Sequence, residues 1–269
     1  MLERLFLGLR VAYARLWVRV KGNNREFEWV LAEMLIPMLT LSAYVYLYKA
    51  LNAPPVFAGF VMIGGTMLAF WSNVLWNMSA QFYWEKETGT LEVYFVAPIS
   101  RMAILLGMAL GGIVNTTLRA TAVLVLGVVV FQVPIVMHEP VTALLVFFLT
   151  IIALYALGMM FASLFMLYGR EAWHTANLLQ EPVTFLSGTY FPTSQLPQMV
   201  QLLASIIPLT FGLDGIRKVV ILGQGIGDIW PNIVALVIFI LVLLPLAKFA
   251  LSYMENLGKK EGRLTLRWQ

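Results

Sequence analysis

The sequence predicts an all-α membrane protein with six transmembrane helices, and three observations predict it. Of the 269 residues, 60% are hydrophobic and only 12% charged, about half the charged share of roughly 25% found in soluble domains. Mean hydropathy is +0.82. The apolar residues are gathered into long runs, each near or above the roughly 20 residues that a bilayer core requires. Residues 1–269 read as a single transmembrane domain. There is no cysteine, which excludes disulfides, thiolate metal sites and a thiol nucleophile. No cleavable signal peptide is expected, because the first 25 residues lack a continuous apolar core and a small-residue cleavage site.

Residues 1–22 open the chain. Leu2, Leu5, Phe6, Leu9, Tyr13, Leu16, Trp17 and Val20 recur at helical spacing, with Arg4, Arg10, Arg15, Arg19 and Lys21 among them. This pattern predicts an amphipathic helix in the membrane interface, its basic side chains towards lipid head groups. Tyr13 and Trp17 suit that depth. Gly22-Asn23-Asn24 is the expected stop. The six spans are expected at 27–49, 57–83, 103–131, 140–168, 172–190 and 230–253.

Lys and Arg in the flanks set the orientation. Those before the first span join Lys86, Arg101, Arg170, Lys248, Lys259, Lys260, Arg263 and Arg267 on one side. The other side has Lys49, Arg217 and Lys218. The positive-inside rule then makes both termini cytoplasmic, in a cell (inner) membrane protein. Loops 50–56 and 132–139 and the stretch 191–229 face out.

Between spans two and three lies a charged island, residues 85–101, E-K-E-T-G-T-L-E-V-Y-F-V-A-P-I-S-R. Glu85, Lys86, Glu87, Glu92 and Arg101 cannot lie in hydrocarbon, so the island lies in water. Leu91, Tyr94 and Phe95 fall at i, i+3 and i+4, one apolar stripe on a short helix. Pro98 ends it, because proline disfavours helical geometry in the residue before it. Such a helix between two spans is something a soluble partner can grip; the plainer alternative is a solvated loop.

The outer stretch 191–229 holds two apolar runs, 196–207 and 209–222, broken at Pro208. Each is too short to span. Backbone that enters a bilayer without crossing must be buried in protein or line a cavity. Two short re-entrant or interfacial helices capping an outer mouth are expected, with a compact surface hairpin as the alternative.

Within the spans, Arg119 near the middle of span three and Glu181 near the middle of span five are expected at similar depth. Charges there pair or face water, so an Arg119–Glu181 pair, or a shared place on the pathway, is expected. The alternative is that one of them snorkels to an interface. Asn73, Asn77, Asn115 and Glu33 are further pathway candidates. Polar residues in spans more often bond neighbouring helices than touch a substrate. His138 and His174 fall at opposite faces, which argues against a shared metal site, and no nucleophile–base constellation is evident. No G-x-x-x-x-G-K-[ST] phosphate loop occurs, so the chain itself is not expected to hydrolyse ATP. The many aromatics of spans one and two read as an interfacial belt rather than a sugar-stacking path.

Three pieces in order carry a family resemblance: the island followed by I-L-L-G, F-L-S-G-T-Y-F-P-T-S-Q-L-P at 185–197, and I-P-L-T-F-G-L-D-G-I-R at 207–217. Together they resemble ABC-2-type permeases, the membrane subunits of one class of ATP-binding-cassette exporters, closest to the branch that moves drugs, lipids or other amphipathic small molecules. The resemblance implies a homodimer with two copies of a separate ATPase beneath it, which bind Mg-ATP; this chain would carry no cofactor. It implies that the island is the coupling helix, built from Glu85, Glu87, Gly89, Thr90, Leu91, Glu92, Tyr94, Phe95 and Pro98. It places Gly188, Phe191, Pro192, Pro197, Pro208, Asp214 and Arg217 in an outer re-entrant region, and the substrate path between the two copies. A polysaccharide or glycolipid exporter, an ATP-independent secondary transporter and a lipid-modifying membrane enzyme are the competing readings.

Overall fold

The computed structural model describes residues 2–25, 27–97, 99–136, 138–168 and 170–261. Pro98 and the Phe95 side chain lie outside that description, as do Arg263 and Arg267 and the side chains of Arg4 and Arg170. Among the described residues the secondary structure is helical and no strand occurs. The helices in order are α1 (Leu2–Asn23), α2 (Phe27–Ala50), α3 (Val56–Ser72), α4 (Gln81–Glu87), α5 (Leu91–Val96), α6 (Arg101–Phe131), α7 (Pro140–Tyr168), α8 (Arg170–Leu186), α9 (Gln198–Ala204), α10 (Pro208–Val220) and α11 (Ile226–Glu261).

Among the described residues, five helices are long and apolar enough to cross a membrane: Val30–Ala50, Val56–Glu87, Arg101–Phe131, Pro140–Met166 and Ile226–Glu261. A sixth crossing is reached if α9 and α10, bent by 101° at their junction, count as one broken span. The fifth expected span, 172–190, corresponds to α8. Its 17 residues make a helix of about 26 Å at 1.5 Å per residue, at the short end of what spans a bilayer. It ends where Gly188 takes φ +67, a conformation that costs a residue without Cβ nothing.

The span Val56–Glu87 is the central one. Phe70, Trp71, Val74, Leu75, Met78 and Phe82 are buried along it. It contains a π-helical turn, Asn73–Met78, in which the Ser79 amide reaches back five residues to the Val74 carbonyl at 2.9 Å. Asn73 spends its side-chain oxygen there, accepting from the Tyr155 hydroxyl of α7 at 2.9 Å. Around this axis α2, α6 and α1 gather on one side and α7, α10 and α11 on the other.

The first helix does not only float at an interface. It lies along α6, with Gly8 over Ala103 and with Gly107 and Gly111 facing Ala12, Arg15, Leu16 and Arg19. Ala103, Gly107 and Gly111 recur every fourth residue, the spacing that lets two helix backbones approach in a membrane. A Cβ on Gly107 would stand 2.8 Å from that of Arg15, so only glycine fits. The outward face of α1 carries exposed Phe6, Leu9, Tyr13 and Trp17, suited to lipid. Arg15 and Arg19 turn inward, a correction to the expectation that they point to lipid head groups. Their side of α1 faces the bundle, which offers the Glu85 carboxylate and the Gln81 amide as partners.

Arg119 is also not where its sequence partner was expected. It pairs with Glu33 of α2 and donates to the Asn23 carbonyl at 3.1 Å and the Asn24 side-chain oxygen at 3.4 Å. Glu181 lies exposed on α8. The reason is layering: α6 packs chiefly on α1, α3 and α2, which brings it beside Glu33, whereas α8 packs chiefly on α9 and α7.

Two outcomes are expected from this packing. Gly107→Leu drives a side chain into α1 and lowers stability by about 1–3 kcal/mol or more, read as a fall in thermal midpoint of the detergent-solubilised protein. Reversing Arg119 to Glu lowers the midpoint, and adding Glu33→Arg restores it, whereas adding Glu181→Arg does not; rescue by Glu181→Arg alone would assign the pair the other way.

Candidate functional site

The island folds as two short helices joined by a tight turn. α4 continues the central span to Glu87, and Gly89 at φ +74 reverses the chain into α5. Thr88 donates to the Trp84 carbonyl at 3.0 Å and Thr90 to the Glu85 carbonyl at 3.1 Å, so the turn closes on its own threonines. α5 stops at Ala97, which is extended.

Glu85 is the centre of this element. It is nearly buried and pairs with Arg15 of α1. It also accepts from the Thr90 hydroxyl, from the Tyr94 hydroxyl at 3.1 Å and from the Gln81 amide at 3.1 Å. Arg15 donates to the Tyr94 hydroxyl and lies over its ring, 5.1 Å from the centroid. Burial pushes the Tyr94 phenol up to about 12, with Arg15 opposing and Glu85 adding to the shift. It therefore stays protonated and keeps its donor to Glu85. Arg19 donates to the Gln81 side-chain oxygen at 2.6 Å. Its carbonyl accepts from Asn115 of α6 at 3.4 Å, and Asn24 donates to Asn115 at 2.9 Å. At the other flank Arg101 pairs with Glu255 of α11 at 3.2 Å. The island is thus held to the first helix, the third span and the last helix at once.

What remains outside is a ridge. Glu87, Thr88, Gly89, Thr90 and Glu92 are exposed. Val93 and Val96, three residues apart on α5, are 63% and 87% exposed, and Trp84 is 47% exposed. The apolar stripe expected from Leu91, Tyr94 and Phe95 is not this ridge. Leu91 is 1% exposed and belongs to the core with Phe82 and Ile104, and Tyr94 packs against that core. Leu91 and Tyr94 face inward because α5 must bury one side against the bundle. The face left for a partner carries two valines and the carboxylates of Glu87 and Glu92.

The other singled-out residues divide by place. Asn73 and Asn115 hold helices together, Asn77 is exposed at the π-helical turn, and Glu33 serves Arg119. At the opposite end, Pro197 and Pro208 start α9 and α10. Proline suits these positions because the first amides of a helix have no intrahelical acceptor. Arg217 of α10 is 3% exposed. It donates to the carbonyls of Gly188 at 2.7 Å and Phe60 at 2.8 Å and to that of Thr189, and lies 4.8 Å from the centre of the Phe60 ring. Gly64 faces the Thr189 carbonyl with no room for a Cβ. Asp214 accepts from Asn232 at 2.9 Å and pairs with Lys218 at 2.7 Å. Phe191 packs on Phe185 with 5.6 Å between ring centres, and Pro192 leads in extended geometry into the single turn 193–195. One buried guanidinium therefore ties α10, the segment after α8 and the outer end of α3 together.

Sequence reasoning did not find Arg15, Arg19 and Gln81 as parts of the island. A signal was present: Gly8, Ala12, Arg15 and Arg19 share one face of α1 at helical spacing, small residues plus cations where a helix neighbour belongs.

The chain is thus a multi-pass helical bundle with an exposed element between two spans and a bent helix pair at the far end. The sequence profile of the ABC-2 type transporter family matches residues 9–221, and the chain belongs to that family. It is 23% identical over 213 residues to the inner membrane transport permease YadH of Escherichia coli K12, covering 75% of this chain and 82% of that one. It is 25% identical over 153 residues to the probable multidrug ABC transporter permease YbhR of the same organism, covering 55% of this chain and 40% of YbhR. Nodulation protein J of Rhizobium leguminosarum bv. trifolii is 36% identical over 100 residues, covering 37% of each. The protein is a multi-pass inner-membrane transport permease.

Breaking the central pair has an expected outcome. Glu85→Gln and Arg15→Met each leave a partly buried partner uncompensated and lower stability by about 2–4 kcal/mol. The double variant loses less than the sum, with a coupling of about 1–3 kcal/mol. Thermal midpoints of the four proteins check the cycle, and protease cleavage at Thr88–Thr90 should rise in both single variants.

Proposed function

We propose that this chain is the membrane subunit of an ABC exporter. It works as a homodimer on two copies of a separate ATP-binding subunit, which bind Mg-ATP, and passes its substrate between the two permease copies. Both termini and the island lie on the cytoplasmic side. The observation that carries this reading is the Glu87–Val96 ridge, exposed towards a partner yet anchored through Glu85 to α1, α4 and α5. ATP-driven closure of two soluble domains has to be transmitted by a rigid contact, and a helix pair held by a buried ion pair and three further acceptor contacts is rigid. Its two valines suit an apolar socket, and Glu87 and Glu92 suit basic groups on the socket's rim. Leu91 and Glu85 act inside the subunit, setting the ridge; Glu87, Glu92, Val93 and Val96 make the contact.

The substrate class proposed is an amphipathic small molecule, a drug or a lipid. The multidrug designation of YbhR supports that class.

The test is ATPase activity of a candidate nucleotide-binding subunit with and without this chain in lipid nanodiscs. Val93→Asp and Glu87→Lys are expected to weaken the complex by about 2 kcal/mol, roughly thirtyfold, with the permease's thermal midpoint unchanged. Leu91→Ala lowers the midpoint instead, by about 2–5 kcal/mol of stability. If no ATP-binding subunit associates with the intact chain, the reading fails.

A further inference from the structure

The bundle has a crevice that the transport reading does not use. It runs between α3 and α6 on one wall and α7 and α10 on the other, with a volume of about 360 Å³, within the range of about 300–1,000 Å³ of ordinary ligand sites. Its walls are almost wholly apolar: Met62, Met67 and Phe70 from α3, Leu124 from α6, Phe147 from α7 and Ile216 from α10. Thr66 lines it too, but its hydroxyl is committed to the Met62 carbonyl of its own helix at 2.8 Å. Such a site offers water few partners, and apolar cavities of this kind stay dry and take apolar guests. Left empty, its lining atoms would lose dispersion contacts on one side.

Position identifies the guest. Thr121 of α6 and Pro140 and Leu144 of α7 line the opening and are exposed, and so are their neighbours Leu118 and Val125 on α6 and Phe148 on α7. All lie on helices apolar enough to cross the membrane. The opening is therefore lateral and continuous with the surface that faces hydrocarbon, so what reaches it is lipid. Length agrees. Along α3 the crevice runs from Gly59 to Phe70, and along α6 from Thr117 to Val128. Each is eleven helical steps, about 16 Å. Half of a hydrocarbon core of about 30 Å is about 15 Å. The crevice starts at the outer ends of the spans, beside Val133 and Ile135, and stops near mid-depth, as a chain entering from one leaflet would.

We propose that this crevice is a binding site for one acyl chain of a bilayer phospholipid, entering between α6 and α7 from the leaflet on the re-entrant side. The chain wedges between the α3–α6 wall and the α7–α10 wall. The site stands apart from the island and requires neither the ATP-binding partner nor a transported substrate.

The test uses the full chain in nanodiscs containing phosphatidylethanolamine with a photoactivatable diazirine midway along one acyl chain, and a parallel arm with the free photoactivatable fatty acid. Cross-linked peptides are read by mass spectrometry. Labelling of Met62, Met67 or Leu124 by the phospholipid, above that of lipid-facing Leu241 and Phe249 on α11, is expected. In Ala120→Phe and Ala143→Phe, which fill the crevice from opposite walls, that labelling is expected to fall to the α11 level while α11 labelling is unchanged. Thermal midpoints and gel-filtration profiles verify that each variant is folded, and the wild-type labelling pattern stands without them. Labelling of crevice residues no stronger than of α11, labelling unaffected in a folded filled variant, or labelling by the free acid alone would overturn the assignment.

Discussion

Glu85 sits at the end of the central span with its charge nearly out of reach of water, and the surrounding structure is arranged to answer it. Arg15 has to come from another helix, so α1 has to lie close to the island. That requires α1 to run along α6 closely enough that Gly107 and Gly111 meet it without side chains. The position of a carboxylate thus constrains the packing of two helices far apart in sequence. The same contacts fix the turn at Gly89, because Thr90 and Tyr94 both spend their hydroxyls on Glu85. A buried ion pair adds little net stability against apolar replacements, but removing one partner is strongly unfavourable. Loss of either partner would therefore leave a nearly buried charge unanswered at the end of the central span.

Each deep cation is satisfied differently. Arg15 has a carboxylate and a phenol, Arg119 has Glu33 and the α1–α2 corner, and Arg217 has backbone carbonyls and an aromatic face. Arg217 shows how the irregular backbone after α8 is held in place. The segment after α8 leaves helical geometry at Gly188, so its carbonyls have no intrahelical donors. In a bilayer such groups need partners from the protein, and a guanidinium with its fork of donors is well matched to several carbonyls at once. Pro208 then lets α10 begin at an angle without losing a hydrogen bond. At both ends of the molecule the terminal guanidinium nitrogens of a deep arginine are answered by groups of the protein itself.

Much of the candidate site was legible as segments and little of it as contacts. The island announced itself by charge between apolar runs, and the re-entrant pair by runs too short to span around a proline. Their existence and order follow from solubility in hydrocarbon, which composition reports directly. Which face of α5 looks outward was not legible. Leu91 and Tyr94 do form an apolar side of α5, but periodicity cannot say whether a stripe meets a partner or the chain's own core. The partner of Arg119 was misread for a related reason. Depth in the membrane constrains one coordinate and does not say which helices are neighbours.

The sequence by itself determined the class of the protein, the order of its long apolar segments, the charged island and the broken outer pair. These depend on transfer of residues between water and hydrocarbon, a property each segment has alone. Only the tertiary structure decided that Arg15 and Arg19 face inward, that Arg119 answers Glu33, that Val93 and Val96 form the exposed ridge, and that a lipid-accessible crevice separates α6 from α7. Those facts depend on which helices are neighbours and how each is rotated about its axis. Inside a bilayer apolar pairing is nearly indifferent among partners, so the choice falls to small residues and buried polar groups acting at long sequence separation.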